Sequence, residues 1–580
     1  MNRIRASVFA ATAIAAACAA FGLFTRPSVQ DLDSEEFSAR RAVRDIEVIS
    51  KEHHSVAQPE ERAAVRDYLV GRLRELGADT VRLFSYDSLT GPKFKHVSYT
   101  FTATDILAEF SPLSSCSGQA GDSASVRETE DVSLMLVAHY DSRYSQIMPK
   151  DTVWSYGAAD DGYGLAVTLE TVGRLLRERD LWKRGVKVLF TDAEEVGMMG
   201  MSAIYANDRE VFDNVGLMIN LEARGTYGPV LLFETSPGNS RLMELYSEAA
   251  RFKYTYSLTT VVYGFMPNFT DFTLVKDDIP GLNFSTIADV NHYHTDLDNF
   301  SNVSPRSVQH YGSQVLPVAR EYLISEKYSG KDALRCEEDT VNFTIPVIGL
   351  LNMGKSTWTI VNIVVFALFL LVLLFDCIRG RVRFLSILGK AGKVLLASLL
   401  ALAAGFWATW ICCKTSGAEF KPFGVIAGIP YDNAVMIALT VLLAAICTAV
   451  FLRARGRAAL KSSSMRRRAA SEAESRLSYS VLYGTLLVEL ALSAVLLVFI
   501  GENLMFFIPL ALSTLALLLG RLTHLRIWFL AAAAVLLLHA CSFLFALSMA
   551  LTIGAFGVVA MIACLDIMVL VPLADRFISD

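Results

Sequence analysis

Apolar positions are distributed along this chain in two different ways. Between about residues 28 and 350 they come in short runs and helical spacings broken by charges and turn residues; from Trp358 onward they fill long stretches interrupted by short basic loops. In the first part SLMLVAHY, GVKVLFTD, GLMINLEA and PGLNFSTI each predict a strand, because a compact apolar run bounded by turn residues suits a strand buried on both faces. GLAVTLETVGRLLRER, SRLMELYSEAARF and SVQHYGSQVLPVAREYLIS predict helices among them. Strands alternating with helices make an α/β domain, and in such sheets ligands gather beyond the carboxyl ends of the strands.

The long apolar stretches run approximately over 6–24, 358–377, 386–412, 434–452, 477–499, 503–520, 525–546 and 550–573, each near the ~20 residues needed to cross a bilayer core. Basic residues fall on alternate loops: Arg3 and Arg5, then Arg379, Arg381 and Arg383, then Arg453 to Arg468, then Arg521 and Arg526. By the positive-inside rule these loops are expected on the cytoplasmic side with the large domain outside, in a periplasm or extracellular space, or in the lumen of a eukaryotic compartment. The loop from Lys414 to Asn433 and the Gly501-Glu502-Asn503 turn are then external and the tail at Arg576 internal. The first stretch reads either as a transmembrane anchor or as a cleaved signal peptide, with small residues near Cys18 to Ala20. The expected organisation is an N-terminal segment over 1–27, an α/β domain over 28–350 and an all-α polytopic membrane region of about seven helices over 351–580.

Composition fits two regions in two solvents. Hydrophobic residues make up 53% of the chain, too many for an ordinary soluble protein, while the first part, about 320 residues, is long enough to bury its own core. A net charge of -5, with the basic clusters beside apolar spans, excludes nucleic acid as an expected partner and favours the bilayer. Of nine cysteines only Cys116 and Cys336 lie in the first part; an oxidising compartment would allow them to pair, and their proximity is left open.

Candidate chemistry sits where the fold class places ligands. LMLVAHYDS carries His139 and Asp141 off the end of a predicted strand, where an Asp can hold the second ring nitrogen of a metal-binding His. GAADDGYG places Asp160 and Asp161 before a helix, FTDAEEVG places Glu194 and Glu195 after a strand, NLEARG places Glu222 after the next, and YHTDLDN supplies His294. Imidazole and carboxylate suit zinc, and a carboxylate placed between two ions can bridge them.

The order and wording of HYDS, GAADD, AEEVGMMG, NLEARG and YHT resemble the M28 family of zinc peptidases over roughly residues 35 to 325. EEFSARRAVRDIEVISKEHHS and VRDYLVGRLRELG look like that family's N-terminal helices. With the membrane stretches added, the chain is similar to the endoplasmic-reticulum metallopeptidase and vacuolar membrane protease type. The resemblance implies a mixed, mostly parallel sheet flanked by helices, as in zinc aminopeptidases, and two Zn2+ ions per chain. It implies that Asp160 bridges the ions, that His139 and Glu222 complete one site and Glu195 and His294 the other. Asp141 would orient His139, and Glu194 would be the general base for attack by metal-activated water. Some M28 members have Asp where this chain has Glu222. The implied substrates are peptides with a free N-terminus, and Tyr263, Phe265 and Phe269 are candidates for lining the first side-chain pocket.

Blander and rival readings stand beside these. Adjacent acids often begin helices; His292 reads as a surface or supporting residue, Tyr293 as a candidate donor to the tetrahedral intermediate, and Asp298 as a support or a helix cap. HYDSRY and HTDLDN also look like a glutaminyl cyclase, whereas AEEVGMMG and NLEARG look more like the peptidases. An ectodomain that had lost its metal would have broken the ligand set, which is intact here. A transporter would make use of Glu489, His539 and Asp566 within the apolar stretches. Oligomeric state and the preferred side chain stay open.

Overall fold

The run SLMLVAH forms a strand whose residues are all buried, and in the computed structural model of the chain it lies at the middle of a seven-stranded sheet. The structure describes residues 2–20, 27–90, 100–113, 132–146, 152–264, 268–426, 428–462 and 467–579. They fall into two units, one comprising Arg26–Thr344 with Leu350–Gly354, the other Met1–Thr25, Ile345–Gly349 and Lys355–Asp580. Cys116 and Phe265 lie outside the described residues.

In the first unit the strands include β1 (Thr80–Thr90), β2 (Thr100–Phe110), β3 (Ser133–His139), β4 (Tyr144–Gln146), β5 (Thr152–Trp154), β6 (Gly185–Thr191), β7 (Val215–Ala223), β8 (Tyr227–Thr235) and β9 (Gly281–Ala288). The large sheet has the order β1-β2-β6-β3-β7-β9-β8, and β4 pairs with β5 separately. Its central strands β6, β3, β7 and β9 are parallel, while β1 and β2 at one edge and β8 at the other run antiparallel to their neighbours. This is the mixed sheet expected, with three strands the sequence reading did not name. β1 alternates between exposed and half-buried positions, so it lacks the apolar run that marks a central strand.

Alternation along each strand decides which face a side chain serves. Leu134, Leu136 and Ala138 of β3 and Leu217, Ile219 and Leu221 of β7 join one core with the helices Ala39–Ile49, Gly162–Leu175, Ser240–Ala249 and Pro305–Ile324. Met135, Val137 and Met218 join a second core with Met201 and Ile204 of helix Met199–Asn207 and Phe272 and Val275 of helix Asp271–Val275. His139 and Glu222 continue the positions of the second face. A register slip of one residue would send both to the opposite face.

In the second unit, seven stretches among the described residues are long and apolar enough to cross a membrane, from Arg3–Ala20 to Ile527–Ile578. The last is two helices, Ile527–Leu551 and Phe556–Ile578, joined by the turn Thr552–Ala555. Large apolar side chains such as Leu371, Val441 and Phe499 are exposed, as lipid-facing positions are. Glu489, His539 and Asp566 are all buried within this unit. Buried Asp376 gathers Arg381 Nη1 at 3.2 Å, the Tyr483 hydroxyl at 2.7 Å and the Arg521 guanidinium. Removing Arg521 leaves the buried carboxylate to the half-exposed Arg381 and the Tyr483 hydroxyl. Arg521→Gln is therefore expected to destabilise the unit by about 3 kcal/mol, read as a lowered thermal midpoint of the detergent-solubilised chain.

Candidate metal centre

The ends of β3, β6 and β7 deliver His139, the Glu194-Glu195 turn and Glu222, while loops bring Asp160 and His294 to the same place. Asp160 is shared. Its Oδ1 lies 3.3 Å from His139 Nε2, and its Oδ2 lies 3.4 Å from His294 Nε2. Glu222 Oε2 stands 3.8 Å from the same nitrogen of His139, and Glu195 Oε2 stands 3.0 Å from that of His294. Two groups result, His139 with Asp160 and Glu222, and Asp160 with Glu195 and His294, the ligand atoms of each within 4.8 Å of one another.

Local structure explains the placement. In GAADDGYG, Asp161 caps the helix Gly162–Leu175 by accepting the Gly164 N–H at 3.0 Å, and a Cβ at Gly164 would overlap that carboxylate. Of the adjacent acids, one serves the helix and Asp160 is left to face the histidines. His294 sits in the left-handed region at φ 59, a conformation a non-glycine residue holds at some cost.

Asp141 acts differently from the simple expectation. The Nδ1 of His139 lies 3.0 Å from the main-chain carbonyl of Asp141 and 3.5 Å from its carboxylate. The carboxylate oxygens are taken by the Glu194 N–H at 2.9 Å and the Glu195 N–H at 3.3 Å. One residue thus holds both the His139 ring and the Glu-Glu turn. Asp298 is not a helix cap, because Asn299 and Ser304 take those positions. Its carboxylate accepts from the N–H groups of Ala159 at 2.7 Å and Asp160 at 3.2 Å and from Ser155 Oγ at 3.2 Å. Asp298 fixes the turn that presents Asp160, so Asp298→Asn, which places an amide donor against those donors, is expected to weaken zinc affinity by about 10- to 100-fold, read by competition with a chelator.

Other candidates fall as follows. His292 lies off the cluster with Nδ1 2.7 Å from Thr226 Oγ1. Tyr293 stacks on the His294 ring at 3.6 Å between centroids. Tyr263 packs edge-on to Phe233 and feels the Glu222 and Glu194 carboxylates. Phe269 is 60% exposed and so cannot wall a closed pocket. Asp271, which the sequence reading passed over, is buried behind the site and accepts from Thr191 Oγ1; its only signal was an acid opening a short helix in NFTDFT. Arg143, also unremarked, ion-pairs with Glu195 at 3.4 Å.

Electrostatics test whether cations fit. Burial pushes Glu194, Glu222 and Asp161 well above the usual carboxylate range, with the Glu222 charge adding to it at Glu194. Burial works against both Asp160 and His139 being charged, yet the imidazoles hold Asp160 down and the Asp141 and Asp160 carboxylates hold His139 well up. Glu195 Oε1 is buried with no hydrogen-bond partner. A largely buried cluster of carboxylates with an orphaned oxygen and two imidazoles is the donor set that zinc takes, and divalent cations remove the repulsion that otherwise protonates it.

Residues 123–319 match the model of peptidase family M28. The chain carries an M28 peptidase domain. Its relatives include a putative endoplasmic reticulum metallopeptidase 1-A of Caenorhabditis elegans, 31% identical over 281 residues that cover 47% of this chain and 29% of that protein. A vacuolar membrane protease of Candida dubliniensis is 26% identical over 276 residues, 46% of this chain and 26% of the relative. The match thus spans under a third of either relative's length. Among solved structures, a Zn-dependent exopeptidase from Parabacteroides distasonis covers 49% of this chain and 98% of its own, at 19% identity and a TM-score of 0.37. The M28 match contains all the residues of both ligand groups.

Proposed function

We propose that the M28 domain is a two-zinc peptidase that removes residues from the free amino end of peptides, anchored in a membrane with the domain on the extracytoplasmic side. The observation that carries this is the division of Asp160, whose two oxygens face separate imidazoles 3.3 and 3.4 Å away. His139, Glu222 and one oxygen of Asp160 would hold one ion; Glu195, His294 and the other oxygen would hold the second. Bound there, zinc would supply Lewis acidity to the scissile carbonyl and lower the pKa of the attacking water.

The chain's own residues do the rest. Glu194 stands outside both ligand groups on a turn pinned by Asp141, so its carboxylate is available to take the proton from water and pass it to the leaving amine. Carboxylates are more numerous here than two divalent cations neutralise, and the surplus negative potential suits a substrate's ammonium terminus. The alternating arginine loops support the orientation in the membrane.

The test is hydrolysis of an aminoacyl-nitroanilide panel by the zinc-loaded, full-length chain, with cyclisation of an N-terminal Gln peptide as control and zinc measured per chain. Zinc-dependent nitroaniline release with two zincs bound is the expected result. Cyclisation without release would replace this reading with a glutaminyl cyclase, and two bound zincs without either reaction would leave a binding protein.

A further inference from the structure

Arg224 stands two residues beyond Glu222, just past the end of β7, with its main-chain N–H bonded to the Thr286 carbonyl at 3.2 Å. The side chain is half-buried, its Nε is buried without a hydrogen-bond partner, and among the described residues no carboxylate pairs with it. Other enclosed arginines of the same unit have a carboxylate or main-chain carbonyls beside them, although Arg62 Nη1 and Arg174 Nε and Nη1 are likewise buried without a hydrogen bond. Arg62 meets Asp192 at 3.3 Å, Arg41 meets Glu170 at 2.6 Å, and Arg184 donates to the carbonyls of Tyr322, Ser325 and Tyr328. A guanidinium withdrawn from water without an anion is costly.

Its surroundings say where the missing anion belongs. The groups acting on Arg224 are the phenols of Tyr293 and Tyr263. Tyr293 in turn feels the charges of Asp160, Glu195 and Glu194, and Tyr263 those of Glu222 and Glu194. Arg224 thus leaves the same strand end as Glu222, and one of the two phenols acting on it, Tyr293, stacks on the His294 ring at 3.6 Å. Carboxylates near the ions attract an amine, and at a short remove a lone cation awaits the opposite charge. Arginine's planar fork matches a carboxylate through two parallel hydrogen bonds.

Resting on the peptidase reading above, we propose that Arg224 is a specificity residue that binds a carboxylate of the substrate, so that the site selects peptides carrying one close to the cleaved bond. The carboxylate has two possible sources, the C-terminus of a very short peptide or an acidic side chain.

Three pairs of peptides separate the sources, assayed on the zinc-loaded full-length chain and on its Arg224→Gln and Arg224→Lys variants. Leu-Leu against Leu-Leu-amide tests the terminal carboxylate; Leu-Glu-amide against Leu-Gln-amide and Glu-Leu-amide against Gln-Leu-amide test a side chain on either side of the bond. The expected result is a preference for the carboxylate of roughly 10- to 100-fold in kcat/KM in one pair, mostly through KM. Arg224→Gln brings that ratio to about one, and Arg224→Lys, which keeps the charge without the fork, falls between. No preference in any pair, or a preference that survives Arg224→Gln, overturns the proposal. If none of the peptides is cleaved, the peptidase reading fails by itself, and Kd values for the same pairs by calorimetry still decide the role of Arg224. A lower melting temperature for Arg224→Gln with no change in preference would assign it a structural role instead.

Discussion

Replacing Glu194 by glutamine is expected to lower kcat by about a thousandfold, within the range a lost general base costs, while the zinc content of the chain stays where it was. The reasoning is geometric. Glu195 carries the oxygen that faces His294 at 3.0 Å, whereas Glu194 belongs to neither ligand group and is held by its main-chain N–H to Asp141. Glutamine keeps the shape and that main-chain bond but cannot accept a proton from water at neutral pH. KM should change little, because the amide removes a proton acceptor and leaves the substrate's binding surface in place. Melting temperature should hold or rise, since the substitution also removes a carboxylate that burial and the Glu222 charge disfavour in its ionised form. Loss of zinc together with activity would instead make Glu194 a ligand, and the division of labour between the adjacent acids would have to be reversed.

Replacing Asp160 by alanine is expected to empty both ion positions at once, and Glu222→Ala only one. Asp160 is the member common to the two groups, and its oxygens lie against different imidazoles. The bound-zinc ratio of Asp160→Ala should therefore fall from two towards zero at a zinc concentration where Glu222→Ala retains one. Turnover should be lost in Asp160→Ala, because neither the carbonyl nor the water would be activated. Two sites failing independently, each with its own carboxylates, would give equal losses for the two variants and end the bridging assignment. Zinc per chain on the purified protein, measured by elemental analysis, decides between these outcomes.

Several elements are legible in the sequence because their signals are local. SLMLVAHY and PGLNFSTI are apolar runs that can only be buried on both faces, and they form the parallel centre of the sheet. The stretches from Lys355 onward are apolar over whole helices, which no soluble core requires. His139, Asp160, Glu195, Glu222 and His294 could be nominated because each stands just past such an element or in the turn after it. β1 and β2 were not, since β1 at the sheet edge is largely exposed, while β2, though buried, mixes polar residues such as Thr104 and Asp105 into its run and is placed by pairing with β6, far along the chain.

The sequence by itself determined the two solvents, the α/β order of the first unit and the stock of histidines and carboxylates, because hydrophobic periodicity and residue chemistry are properties of neighbours in the chain. Tertiary structure alone decided that Asp160 divides its oxygens between two imidazoles while Asp161 caps a helix. It also decided that Asp141 secures the Glu-Glu turn, that Asp298 supports Asp160 and not a helix end, and that Arg224 Nε is buried with no hydrogen-bond partner among the described residues. Such outcomes depend on distances of a few ångströms between residues separated by up to more than a hundred positions, and only packing of strand ends and loops against one another sets those distances.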